Sequence, residues 1–171
     1  MVAWSVAAAV VACDQLTKNW AVRSLSSGPV HVVWKLDFEL GYNSGSAFSL
    51  APGLGPELTV VALVAIALLS FAAARSRSLL VLVGLGLILG GATGNVCDRL
   101  FRSHHGSVVD FIAFHFWPTF NLADASIVVG GALVVLAQFV GSEGRNRAGK
   151  RDLPGSEDPK STDERFDGKV Q

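Results

Sequence analysis

Charge is scarce in this chain. Only 16% of its 171 residues are Asp, Glu, Lys or Arg, while half are hydrophobic, a balance that fits a membrane protein rather than a soluble domain. Basic and aromatic residues do not interleave along any element, which argues against nucleic-acid binding. Cysteine is nearly absent: Cys13 and Cys97 lie in apolar surroundings without the spacing of a metal or redox site, and read as reduced packing residues. No G-x-S-x-G occurs, neither cysteine has a histidine at a recognisable spacing, and His31, His104, His105 and His115 fit no H-E-x-x-H pattern. Serine, cysteine and metal-dependent hydrolysis are not expected, and neither a metal nor a cofactor is called for.

Long apolar runs take the place of these features. A bilayer core roughly 30 Å thick needs about 20 apolar residues in a helix, and four stretches qualify: Val2 to about Val22, Leu58 to Ala74, Leu79 to Cys97, and Leu122 to Val140. Within the first, Val10-Val11-Ala12-Cys13 has the look of a lipoprotein signal-peptide cleavage site. A secretory signal needs a basic segment ahead of its apolar run, however, and the first basic residue here, Lys18, follows it. The stretch is read as a span. Asp14 and Lys18 stand four apart, so on a helix they share a face and can pair, as part of a site or as a structural ion pair.

Between the first two spans, Val30, Val32, Trp34, Leu36, Phe38 and Leu40 alternate with His31, Lys35, Asp37 and Glu39, which predicts an amphipathic strand in a small sheet on the membrane surface. Gly41-Tyr42-Asn43-Ser44-Gly45 then supplies turn residues. A second piece outside the membrane, Phe101 to Phe120, joins spans three and four. Arg75 and Arg77 crowd the tight turn between spans two and three, and Arg145, Arg147, Lys150 and Arg151 follow span four. The positive-inside rule puts both segments, and both termini, in the cytoplasm. The expected fold is a four-transmembrane-helix bundle, residues 1–141, with a small extracytoplasmic β-sheet between helices 1 and 2 and a short extracytoplasmic segment between helices 3 and 4. Residues 142–171 have hardly any apolar content and are expected to form a disordered cytoplasmic tail.

Ionisable and amide groups at membrane depth are costly, and here they converge. Gly86, Gly90 and Gly94 recur every four residues, which permits close helix contact. Gly91, Asn95 and Asp98 follow at i, i+4, i+7, placing an amide and a carboxylate at the outer end of span three. Asp98 and Arg99 fit a site or a structural salt bridge equally. Asp110 stands alone in the apolar pentapeptide Val108-Val109-Asp110-Phe111-Ile112, and Asp124 opens span four after Asn121. Each carboxylate by itself could be a helix cap. Together, on one side of the membrane, two carboxyls in contact share a proton: one activates water while its protonated partner polarises a carbonyl, as in aspartic peptidases. A different class, an ion- or proton-coupled transporter, would also use membrane carboxylates, but transporters usually carry internal repeats and none is evident. A non-enzymatic scaffold packed through the glycines would leave the carboxylates unexplained.

Asp14-Gln15-Leu16-Thr17-Lys18, Asn43-Ser44-Gly45-Ser46-Ala47-Phe48, Gly94-Asn95-Val96-Cys97-Asp98-Arg99, Val108-Val109-Asp110-Phe111 and Phe120-Asn121-Leu122-Ala123-Asp124 together resemble the lipoprotein signal peptidase (signal peptidase II) family, in order and in placement relative to four spans. The resemblance covers residues 1 to about 141. It implies that Asp110 and Asp124 are the catalytic pair and that Asp14, Lys18, Asn43, Gly45, Asn95, Asp98, Arg99 and Asn121 shape the site or bind substrate. It further implies a multi-pass protein of the bacterial inner membrane, acting at its extracytoplasmic face; a monomer is the expected state, which the sequence does not fix. The implied substrates are diacylglyceryl-modified prolipoproteins, cut just before the lipidated cysteine. Thirteen residues separate Asp110 from Asp124, a shorter connection than the resemblance leads one to expect for a segment that covers substrate.

Overall fold

The computed structural model describes residues 1–45, 55–102 and 106–151. Four long helices lie among them: α1 (Val2–Ser24), α2 (Gly55–Arg75), α3 (Leu79–Phe101) and α4 (Leu122–Arg151). The stretches Pro56–Arg75, Leu79–Phe101 and Leu122–Phe139 are long and apolar enough to cross a membrane. At 23 residues, α1 is about 34 Å long but carries Asp14, Lys18 and Arg23. Burial is inverted relative to a water-soluble bundle. Leu68 and Val128 are 66% and 71% exposed, whereas Asp14, Lys18, Asp98 and Asn121 are fully enclosed. Apolar surface outside and ionisable groups inside is what a lipid solvent selects.

Glycine lets α3 sit at the centre. A Cβ on Gly86 or Gly90 would press within 2.7 Å of Ala3's carbonyl or 2.6 Å of Val10's Cβ on α1. On another face, a Cβ on Gly84 would come within 2.8 Å of the Gly130 carbonyl of α4. Removing these methyl groups allows backbone-to-backbone approach on two sides of one helix. Ala3, Ala73, Leu85 and Leu89 form the apolar core between α1, α2 and α3.

The alternating segment after α1 is a hairpin rather than the single strand expected: β1 (Val30–Val33) pairs antiparallel with β2 (Leu36–Asn43). Trp34 makes the turn at φ +54°, a left-handed conformation uncommon for a bulky residue. The connection between α3 and α4 is also more than a short segment. It folds into β3 (Val108–Phe114) and β4 (Trp117–Phe120), and the sheet runs β1-β2-β3-β4 throughout in antiparallel order. The sheet is therefore assembled from both connections, not built between helices 1 and 2 alone.

Two contacts lock it. Phe111 and the half-buried Phe38 pack on Ala21 and Leu25 at the end of α1, where Trp20 meets both rings edge-on. At the hairpin tips, Asp37 pairs with His115 Nε2 at 2.9 Å and His31 Nδ1 at 2.6 Å, which holds its carboxyl below the usual range. The helical backbone of α4 continues to Arg151, past Gly141 where the apolar run ends; the tail beyond it, like Ser46, Ala47, Phe48, His104 and His105, lies outside the described residues.

Candidate active site

The helix end that carries Asp124 is set by its sequence. Asn121 Oδ1 accepts the Asp124 backbone N–H at 3.0 Å, and Asp124 Oδ2 accepts the Asn121 N–H at 3.2 Å. This reciprocal capping box satisfies two N–H groups that a helix start leaves free. The capping role anticipated for Asp124 is thus real, and its other oxygen remains available: Oδ1 accepts from Asn95 Nδ2 at 2.8 Å.

Asp110 is no helix cap. It lies inside β3, opposite Gly41 of β2, and is 3% exposed. Its oxygens are held separately, Oδ1 by Asn121 Nδ2 at 2.7 Å and Oδ2 by Asn43 Nδ2 at 3.1 Å. Asn43 faces Val108 in the register, one diagonal step from Asp110, which is within reach across an antiparallel pair. The Gly45 N–H donates to Asn43 Oδ1 at 2.9 Å and so fixes which end of that amide meets Asp110. Gly45 has φ +88°, a conformation glycine adopts without steric cost.

Asn121 is the junction. Its Nδ2 reaches Asp110 Oδ1, Asn95 Oδ1 at 3.2 Å and the Val109 carbonyl at 3.2 Å, while its backbone N–H reaches Asp124 Oδ2, so one enclosed residue touches both candidate carboxyls. Burial first, and then the charge of Asp124, push the Asp110 carboxyl up to about 6 against the opposing hydrogen bonds from Asn43 and Asn121. A carboxyl so placed holds a proton far more readily than one in water, as acid–base hydrolysis requires.

Below this pair lies a layer of ion pairs. Lys18 Nζ stands 2.9 Å from Asp14 Oδ2, from Asp98 Oδ2 and from Asn95 Oδ1. Asp14 Oδ1 accepts the Ala123 N–H and Asp98 Oδ2 the Val109 N–H, each at 3.0 Å. Asp14 fits between α1 and α3 because Gly94 has no side chain; a Cβ there would stand 2.5 Å from its Oδ2. The guanidinium of Arg99 faces Asp98, Asp110 and Asp124 electrostatically, and its buried Nε has no hydrogen-bond partner among the described residues.

All ten residues singled out in the sequence are brought to this end of the bundle. The ambiguity of Asp98 resolves into a buried ion pair that also grips the sheet. Three participants were missed. Gln15 Nε2 donates to Asp98 Oδ1 at 3.0 Å and to the Gly94 carbonyl at 3.2 Å, and Arg102 donates to Asp98 Oδ1 at 2.7 Å, to Gln15 at 3.1 Å and to Asn19 at 2.9 Å. Their spacing was a usable signal, since Arg102 follows Asp98, and Asn19 follows Gln15, by four residues on the same helix face. An open groove of about 350 Å³ adjoins the site, lined by Trp117, Phe120, Asp124, Ala125, Val128 and Val129. Its wall is apolar except where Asp124 enters it.

Comparison with known proteins points in one direction. Residues 6–140 match the family model described as signal peptidase (SPase) II. The chain is 42% identical over 169 residues to a lipoprotein signal peptidase of Mycolicibacterium smegmatis, covering 94% of this chain and 72% of the relative. It is 43% identical over 142 residues to one of Mycobacterium avium, covering 80% and 78%. A solved structure described as a bacterial membrane enzyme superposes with a TM-score of 0.71 at 26% identity, over 80% of this chain and 91% of the other.

Proposed function

The chain belongs to the signal peptidase II family of lipoprotein signal peptidases, and on that premise we propose that it is an aspartic endopeptidase whose catalytic dyad is Asp110 and Asp124. Family membership makes it a membrane peptidase that removes signal peptides from prolipoproteins, and it favours that activity over the transporter reading. The observation that carries the aspartic mechanism is the pairing itself: two carboxyls on separate elements, joined through Asn121, at the end of a membrane helix beside an apolar groove.

The dyad shares one proton. Its ionised carboxylate takes a proton from water, and the oxygen of that water attacks the scissile carbonyl carbon. The protonated carboxyl donates to the carbonyl oxygen, giving a neutral gem-diol. Collapse then breaks the C–N bond as a proton passes to the leaving nitrogen, and the dyad returns to its single-proton state. Asn43 and Asn121 orient Asp110, Asn95 and Asn121 orient Asp124, and the Nε of Arg99, unpaired among the described residues, is a donor for substrate. Asp14, Lys18 and Asp98 support them from below.

The substrate is a prolipoprotein bearing a diacylglyceryl group on the cysteine that follows the cut. The groove beside Asp124 suits an apolar part of that substrate. All four helices cross the inner membrane of a bacterium. Arg75 and Arg77 at the α2–α3 turn support a cytoplasmic placement for that turn and for both termini, which leaves the dyad at the opposite, extracytoplasmic face. Residues 1–141 carry the chemistry, and 142–171 form a cytoplasmic tail outside it.

The test is cleavage of a diacylglyceryl-modified prolipoprotein by purified protein in detergent, with Asp110→Asn and Asp124→Asn as comparators, each checked for folding. Wild type is expected to cut before the lipidated cysteine and both folded variants to lose essentially all turnover. Near-normal turnover by either variant would refute the dyad.

A further inference from the structure

Asp110 and Asp124 sit on a strand and a helix that are joined covalently only through β4. Something must hold their relative position as substrate enters. Each is preceded in sequence by a residue whose backbone N–H is donated to a buried carboxylate: Val109 to Asp98 Oδ2 and Ala123 to Asp14 Oδ1, both at 3.0 Å. Those two carboxylates belong to different helices, α3 and α1, and both are fully enclosed. Without a cation between them, two like charges would be buried together.

Lys18 is that cation. Its ammonium has three N–H donors and three oxygens at 2.9 Å to receive them: Asp14 Oδ2, Asp98 Oδ2 and Asn95 Oδ1. The third arm also ends on the dyad, since Asn95 passes its own amide N–H to Asp124 Oδ1 at 2.8 Å. From one nitrogen, three short chains of contacts therefore lead to the backbone before Asp110, the backbone before Asp124, and the Asp124 carboxyl.

We propose that Lys18 is a positioning residue for the peptidase reaction, a yoke that fixes the separation and orientation of the Asp110 and Asp124 carboxyls through Asp14, Asp98 and Asn95. This rests on the reading of Asp110 and Asp124 as the dyad. Lys18 itself touches neither substrate nor the reacting atoms. Its effect is on the geometry in which one proton is shared, so a loosened yoke weakens the coupling between the carboxyls. The two apparent pKa values of such a pair then move together.

The experiment compares wild type with Lys18→Met and with the triple variant Lys18→Met, Asp14→Asn, Asp98→Asn, using the diacylglyceryl-modified prolipoprotein in detergent. The triple removes the stranded like charges but keeps a side-chain oxygen at 14 and 98 to accept the two backbone N–H groups, so it is expected to fold even if the single variant fails to. In whichever variant has a wild-type melting temperature, kcat is expected to fall about 100-fold, as for a misplacement on the order of 1 Å, with KM unchanged. The two limbs of the kcat/KM pH profile are expected to draw together by about one unit. A well-folded variant that keeps wild-type kcat and limb spacing, or that loses only KM, would overturn the proposal. Failure of the dyad itself is read separately, from retained turnover in Asp110→Asn or Asp124→Asn.

Discussion

Replacing Asp110 by asparagine should make the protein more stable at alkaline pH while abolishing its activity. Burial and the charge of Asp124 raise this carboxyl from its ordinary 3.8 to about 6. A group whose pKa is higher in the folded state stabilises the fold below its unfolded value and loses that contribution as pH rises through the folded one. Below pH 3.8 wild-type Asp110 is protonated in both states and carries no penalty; above about 6 the penalty is complete. At about 1.4 kcal/mol per unit it amounts to about 3 kcal/mol. Asparagine escapes that cost but does not reproduce every contact. Its oxygen can still accept from Asn121 Nδ2, whereas its NH2 would face Asn43 Nδ2, whose orientation is fixed by Gly45. One lost hydrogen bond costs about 1 kcal/mol, leaving a net gain of about 2 kcal/mol, or roughly 4–8 °C in melting temperature for a domain of this size. Tryptophan-fluorescence melting in detergent at pH 8 and pH 4 reads the difference. The variant should lead at pH 8 and lose that lead at pH 4. A melting difference that is the same at both pH values, or a variant less stable than wild type at pH 8, would refute the reasoning.

Asn121→Ala removes the amide that reaches Asp110 Oδ1, Asn95 Oδ1 and the Val109 carbonyl, and with it the cap on Asp124. It should cost about 2–3 kcal/mol of stability and lower kcat on the order of 100-fold, measured by melting and by prolipoprotein cleavage; wild-type values for both would show that the bridge is idle. The two glycines Gly91 and Gly131 should separate packing from propensity. A Cβ on Gly91 meets the Ala123 carbonyl oxygen, while one on Gly131 meets nothing. Gly91→Ala should therefore destabilise by about 1–3 kcal/mol and displace the turn before Asp124. Gly131→Ala should be neutral or stabilising by up to about 1 kcal/mol; parallel melting curves with equal shifts would contradict the packing.

Elements whose cause is local were legible in the sequence. Apolar runs marked the first three helices to within about four residues and the start of α4, whose helix runs on to Arg151 past the apolar run; the four-residue glycine row marked a close helix contact, which is with α1, and the Asp14–Lys18 spacing marked the ion pair. The hairpin turn at Trp34-Lys35 was hidden because a two-residue turn preserves alternation: apolar residues recur at every second position from Val30 to Leu40, straight through it. Trp34 also lacks the chemistry that usually marks a left-handed turn. Strand β3 was hidden for the opposite reason. With Val108, Val109, Asp110, Phe111 and Ala113 all buried, it has no exposed face to write an alternation, and its partner β2 lies far away in sequence. The candidate site residues that the structure clusters were readable because polar groups stand out against an apolar background. Gln15 escaped because its partners Asp98 and Gly94 are on another helix, and Arg102, although four residues after Asp98, looked like one more basic residue at a helix end.

Charge balance ties the proposed dyad to the layer beneath it. Lys18 answers Asp14 and Asp98 together, and Arg102 adds a second cation on Asp98. Arg99 adds a third, facing the dyad as well as Asp98. Asp14 and Asp98 offset two of those three cations. The cluster is then neutral when Asp110 and Asp124 carry one negative charge between them, and that is the state in which they share a proton. Two charges on the dyad would leave the cluster negative, and none would leave it positive, each in surroundings where net charge is expensive. The arginines and the yoked lysine therefore do more than hold helices together. They make the singly protonated form of the proposed dyad the electrostatically balanced one, which is the form that the proposed aspartic mechanism requires.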